Sequence, residues 1–341
     1  MKFFKSVLFC CLTTAFVVGS FAFSFAGSKP IEFTFSTFFP PTHIQAKLLV
    51  DYGNEIEKRT NGRVKFIHFP GSSLLKGPGV YDGVVKGITD IGESVFAYTR
   101  GRFPSIEAID LPMGYPSGVA ATKIINDFYN KFKFKEFEDV KVLYLFAHGP
   151  GLLFSKKAVA NLEELKGLKI RSTGTSAAVS KALGACPVSM PQNSTYEALQ
   201  KGVVEATWGP IEVLKGWKQG EVIKYMIDCY SVGYTQGFFV AMNKKKWDSL
   251  PQDIQKVFEE VSAEWIVKTG EAWDSSDEEG RQFSLSLGNK TITLSEEESA
   301  RWAAAVQPVM EDYIKAVEKK GLPGRDYVDF IKEEVEKYKA N

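Results

Sequence analysis

The sequence is short of residues that do chemistry. Among 341 residues there are three histidines, His43, His68 and His148, and four cysteines. No two histidines stand at metal-ligand spacing, and the HExxH, CxxC, GxSxG and P-loop motifs are all missing. This argues against a zinc hydrolase, a thiol oxidoreductase, an elbow-type serine hydrolase and a P-loop nucleotidase. Scattered Ser, Asp and Glu supply no nucleophile with a matching base. Gly77, Gly79 and Gly83 leave one residue too many in the second gap of a dinucleotide fingerprint and follow no strand, so they read as a loop. The expectation is a protein that is not an enzyme and that holds neither cofactor nor metal.

An excess of charge of one sign is also missing. Lys and Arg number 42 against 41 Asp and Glu, a formal net charge of +1, which gives no electrostatic footprint for nucleic acid or an anionic membrane. Long apolar runs are confined to the beginning. There Lys2 and Lys5 precede an apolar run from Val7 through Val18, and small residues follow at 24–27. The run is shorter than the roughly 20 residues that span hydrocarbon. The pattern is that of a secretory signal cleaved near Ala26, with the remainder exported to the periplasm. Leu8 and Phe9 precede Cys10 where lipidation calls for small residues, so an anchor is not expected. Cys186 and Cys229 survive cleavage, and in an oxidising compartment they either pair or stand as two buried thiols.

What is present belongs to an ordinary globular protein: 44% hydrophobic and 24% charged residues, at a length that favours two domains. IEFTFSTFF alternates as a strand, and Ile44, Leu48, Leu49, Tyr52 and Ile56 keep helical spacing up to Asn61-Gly62. RVKFIHF, a helix near 80–86, DIGESV, the helix SGVAATKIINDFYNKF and the strand KVLYLFAHG continue an alternation that predicts a mostly parallel α/β sheet. A second unit of the same grammar follows: LLF, a short helix NLEELKG capped by Asn161, LKIRS, TSAAVSKALG, CPVSM, YEALQK and VVEATWG. From Pro251 an apolar stripe through Ile254, Val257, Phe258, Val261 and Trp265 predicts a helix reaching about Leu285. At 1.5 Å per residue it is too long for one small domain, so it reads as a strut packing on both.

The run ELKGLKIRSTGTSAAVSKALGACPVSMPQNSTYEALQKGVVEATWGP closely resembles the signature of solute-binding proteins of tripartite ATP-independent periplasmic (TRAP) transporters. The matches are Leu165 to Arg171, Leu183 to Ala185, Pro187 to Pro191 and Tyr196 to Val204, in order and at the family spacing. The resemblance implies a two-lobed periplasmic binding protein fold of α/β class, with a central cleft and a long hinge helix crossing both lobes. It implies lobe one from 27–150 plus 238–285 and lobe two from 151–237 plus 286–341. It also implies that the partners are a small-molecule organic acid and the small and large integral membrane subunits of the transporter.

The arginine of GLKIR, here Arg171, clamps a ligand carboxylate in that family. The chemistry suits the role, because a guanidinium presents a planar fork to two oxygens and does not lose its charge. The expected ligand-binding set is Arg171, Ser172, Thr173, Gln192, Trp208 and Gly209 from the second unit, with Phe38, Phe39, His43 and Glu93 from the first. Two departures from the family pattern refine the ligand. Gly151 stands about where members that bind acidic sugars carry a further Arg, and VVEATWGP puts Trp208 and Gly209 where VVDGxxNP puts an Asn. Polar groups are lost, volume is expected in their place, and Trp208, Phe38 and Phe39 become candidates for stacking on a ring. The expected ligand is therefore a monocarboxylate with an apolar or aromatic body. The alternatives are a C4-dicarboxylate or sugar acid and, behind them, a secreted α/β enzyme; a C4-dicarboxylate would need a second cation, for which Arg100 and Arg102 are the nearby candidates.

Overall fold

A computed structural model describes residues 29–340; the expected export segment, with Cys10 and Cys11, lies outside the described residues. The first run of elements is β1 (Ile31–Thr37), α1 (Ile44–Arg59), β2 (Val64–Phe69), α2 (Val80–Val85), β3 (Ile91–Val95), α3 (Gly118–Phe132) and β4 (Val140–Ala147). The second is β5 (Leu152–Ser155), β6 (Lys169–Ser172), α4 (Thr175–Ala182), β7 (Cys186–Ser189), α5 (Thr195–Gln200), β8 (Ala206–Gly209), α6 (Val213–Gly216) and β9 (Tyr225–Asp228). The chain then returns through β10 (Gly237–Asn243) and α7 (Lys244–Asp248) to α8 (Gln252–Ser286), β11 (Lys290–Thr293), α9 (Glu296–Glu318) and α10 (Gly324–Lys339).

Two sheets result, in the orders β2-β1-β3-β10-β4 and β11-β9-β5-β8-β6-β7. Both are mixed, each with a single strand running against an otherwise parallel set. β10 runs antiparallel to both β3 and β4, and β5 runs antiparallel to both β8 and β9. Strands produced by βα crossovers all end on the same edge of their sheet, and here that edge faces the other lobe. A strand arriving from the other lobe must start at that edge, so it runs the opposite way. Both such strands take interior positions and are buried throughout.

The first sheet is covered on one side by α1 and α8, through a core that includes Phe33, Phe35, Tyr52, Phe258 and Trp265. The alternation of IEFTFST delivers Phe33 and Phe35 to that side. The opposite side packs with α2 and α3 into a larger core that continues through the second sheet. NLEELK closes only a 3-10 turn at Leu162–Leu165: Asn161 caps it through its side chain, and Gly167 ends the segment at φ 74°.

α8 spans 35 residues, about 52 Å at 1.5 Å per residue. Its early turns bind the first lobe: Tyr52 pairs with Ser262, and the Trp265 indole donates to Leu48 O at 2.8 Å. Asp274 then accepts the N–H groups of Gly118 and Val119 at the start of α3. One turn further on, Asp277 accepts the Glu212 N–H at 2.7 Å, and Gly280 lies so close to Ile211 O that a Cβ would come within 2.3 Å. The helix therefore crosses from one lobe to the other. Cys186 is exposed and Cys229 buried, and neither is in a disulfide. Burial pushes the Cys229 thiol up to about 12.

Candidate functional site

The carboxyl ends of the strands face each other across the two chain crossings, after β4 and before β10, which is where α/β sheets leave room for ligands. There the lobes are in contact. Tyr98 Oη accepts the Gln192 N–H at 2.8 Å and Gly174, at φ 53°, lies against Ala97, while at the second crossing the Gln236 amide donates to Thr173 Oγ1 at 2.9 Å within lobe two. These contacts frame a narrow interlobe cavity with about 30 Å³ of free space. Its aromatic lining is Phe38, Phe39, Tyr98, Trp208, Trp217, Tyr234, Phe238 and Trp273, with Arg171, His148, Gln192, Gln236 and Glu212 as the long polar groups.

Arg171 projects from the end of β6. Its Nε donates to Met190 O at 3.1 Å, and its Nη1 stands 3.4 Å from Trp208 O. The side chain is buried, with 4% of its surface exposed, and no carboxylate lies within ion-pair distance of it among the described residues. An arginine held out of water by neutral groups alone, here two carbonyls and the Tyr98 hydroxyl, is costly unless an anion joins it. Gln192 is buried on the same wall and has no partner for its Nε2.

The expected residues fall into two groups. Arg171, Gln192, Trp208, Gly209, Phe38 and Phe39 line the cavity. Phe38 and Phe39 stack on each other with centroids 4.3 Å apart, and Phe38 stacks again on Trp217 and Phe238. Trp208 forms a wall and is not free to move onto a ligand ring, because its indole donates to Ser180 Oγ at 2.7 Å and the ring is fully buried. Ser172, Thr173, His43 and Glu93 are not brought into the lining. Ser172 Oγ turns under the sheet to Ser180 Oγ at 2.8 Å, and Thr173 instead holds Gln236. His43 caps α1 and reaches Glu212. Glu93 is sealed in the first lobe's core on the Thr37 hydroxyl, where burial pushes its carboxyl up to about 8.

The volume expected at Gly151 and Gly209 is filled by neighbouring side chains. A Cβ on Gly151 would come within 2.2 Å of the Tyr234 ring, and one on Gly209 within 3.2 Å of Val213. Arg100 and Arg102 stay outside the cavity: Arg100 lines a separate groove beside α4 and α9, and Arg102 pairs with Asp82 at 2.7 Å over the Tyr81 ring. Tyr98, His148, Glu212, Trp217, Tyr234, Gln236 and Trp273 were not among the expected residues. A findable signal existed for His148, which closes the apolar strand KVLYLFAHG at its carboxyl end.

Residues 35–316 match the model of the bacterial extracellular solute-binding protein family 7, DctP. The chain belongs to this family. Its members are substrate-binding proteins, and the solved structures it resembles are TRAP periplasmic solute-binding proteins. One, from an unidentified marine microbe, is specific for aromatic acids and holds 3-hydroxybenzoate; it is 30% identical, with a TM-score of 0.86 over 91% of this chain and 99% of that one. Another, from Rhodoferax ferrireducens, holds copurified benzoate and is 27% identical, with a TM-score of 0.86 over the same shares of each chain. A C4-dicarboxylate-binding periplasmic protein of Rhodobacter capsulatus is 27% identical over 88% of this chain and 93% of its own. Both α/β lobes and the long helix are thus features of the TRAP solute-binding fold.

Proposed function

We propose that this chain captures an aryl monocarboxylate in the interlobe cavity and delivers it to the small and large membrane subunits of a TRAP transporter, with no covalent chemistry. The observation that carries the reading is the buried Arg171 without a counterion. Its unused N–H groups and the unpartnered Gln192 amide supply donors for one carboxylate. The aromatic lining suits a ring, and with about 30 Å³ free against the roughly 300 to 1,000 Å³ typical of ligand sites, a ring enters only as the lobes move apart. A second carboxylate would find no second Lys or Arg in the lining and would meet Glu212 instead. The Rhodoferax relative's copurified benzoate supports the same reading.

In this reading export follows cleavage near Ala26, and the chain divides at the two crossings, 27–150 plus 238–285 against 151–237 plus 286–341. α10 departs from that division, since it packs against α3 of the first lobe through Phe128 and Tyr327. The direct test is to denature the purified protein and identify what it releases. A stoichiometric aryl acid, unchanged, supports the reading. A released dicarboxylate or sugar acid, or a product of turnover, contradicts it.

A further inference from the structure

Besides Gln192 Nε2, two ring nitrogens of lining residues lack a partner in the protein, His148 Nε2 and Trp273 Nε1, and both side chains are buried to within 2% exposure. Their rings are neighbours, with centroids 6.0 Å apart and planes at 64°. The two atoms have opposite hydrogen-bonding character. An indole N–H can only donate. For His148 the backbone decides: its Nδ1 lies in hydrogen-bond contact with Gly149 O, and a carbonyl only accepts, so Nδ1 carries the proton. Burial, and to a smaller degree Arg171, push the imidazole down to about 4, so at neutral pH the ring is uncharged and Nε2 presents a lone pair. A buried acceptor and a buried donor are each costly if left bare.

On the reading that the cavity takes an aryl carboxylate, we infer that the ligand carries a hydroxyl, which donates to His148 Nε2 and accepts from Trp273 Nε1. A hydroxyl is the small group that does both at one oxygen. A keto oxygen or an ether satisfies the indole alone, and an ammonium satisfies the histidine alone. A second carboxylate would set its charge against the His148 lone pair. Glu212 is the charged acceptor in the lining, and its Oε1 already faces His43 Nε2 at 2.7 Å. The hydroxyl can sit on the ring or on the carbon beside the carboxylate, and these two sources are separable by experiment.

Two matched pairs serve as probes in calorimetric titration of the mature protein: benzoate with 3-hydroxybenzoate, and phenylacetate with mandelate. The hydroxylated member of one pair should bind at least about tenfold more tightly, and which pair shows it places the hydroxyl on the ring or beside the carboxylate. In His148→Phe and in Trp273→Phe that ratio should fall below about threefold, each variant being scored on the ratio between acids and not on affinity. The His148 nitrogens add a readout independent of any variant: their ¹⁵N shifts should identify an unprotonated Nε2 that moves when the hydroxy acid is added. Binding of both pairs with equal affinity, a ratio that survives His148→Phe, or a ratio abolished only by Glu212→Gln would each overturn the inference while leaving the aryl-acid reading standing. Failure of all four acids to bind would overturn both.

Discussion

His43 Nε2, beside the first turn of α1 in one lobe, stands 2.7 Å from Glu212 Oε1 at the start of α6 in the other, and both side chains are buried. The approach is close but poorly directed, since neither atom completes an aligned hydrogen bond. His43 Nδ1 accepts the Gln45 N–H, which leaves Nε2 to carry the proton toward Glu212. The contact exists only because position 216 is glycine: a Cβ there would sit 1.7 Å from Glu212 Oε1. Opening the lobes would separate the pair and let water reach both groups.

The pair therefore favours the closed form, and its loss should shift the population toward the open one. His43 does not line the cavity, so His43→Ala removes the contact without removing a lining group. Small-angle scattering should show a larger radius of gyration for His43→Ala than for the wild type at equal, subsaturating ligand, and affinity should fall by roughly tenfold. Equal radii and equal affinities would mean that the lobes close without this contact.

Glu93 gives a test by pH. Burial, only partly offset by the Thr37 hydroxyl, raises its carboxyl to about 8. The folded state holds this proton more tightly than the unfolded chain does. The resulting stability is complete below the ordinary carboxyl value of 4.5 and is lost as pH rises through about 8. Glu93→Gln keeps the shape and cannot ionise. Its melting temperature should exceed the wild type's by a margin that widens from about pH 5 to about pH 8, at up to roughly 1.4 kcal/mol per pH unit. A margin constant over that range would show that Glu93 does not carry a raised carboxyl.

How much of this the sequence could show depended on how local the cause was. The LKGLKIR segment places Arg171 at a strand end by short-range rules alone, and Phe38 and Phe39 follow β1 directly, so those positions were legible. Trp217, Tyr234 and Trp273 come from a short helix end, a crossing and the middle of α8, and only the closed arrangement of two lobes brings them together. The antiparallel placement of β5 and β10 was hidden for the same reason, since nothing within a strand records the edge from which it enters. Glycine misled the subtraction: a missing side chain suggested space, and a distant ring, Tyr234, occupies it.

Gly151 makes that point testable. Its N–H donates to Tyr234 O at 2.7 Å, and an added methyl would overlap the Tyr234 ring. Gly151→Ala should destabilise the protein by about 1 to 3 kcal/mol, as overpacking of a tight interior does, and should weaken aryl-acid binding by moving a cavity wall. Thermal melts and titration check both. A variant as stable as the wild type would show that the ring has room to yield.

Whether Arg171 anchors the ligand's carboxylate is read by calorimetric titration of the Arg171 variants with the acid released from the wild type. Charge-assisted hydrogen bonds are worth roughly 1.5 to 3 kcal/mol each, so Arg171→Ala should bind at least about a hundredfold more weakly while remaining folded. Arg171→Lys should lose most of that affinity too, because a lysine keeps the charge but not the planar fork. An Arg171→Ala protein that binds within about threefold of the wild type would show that Arg171 is not the anchor.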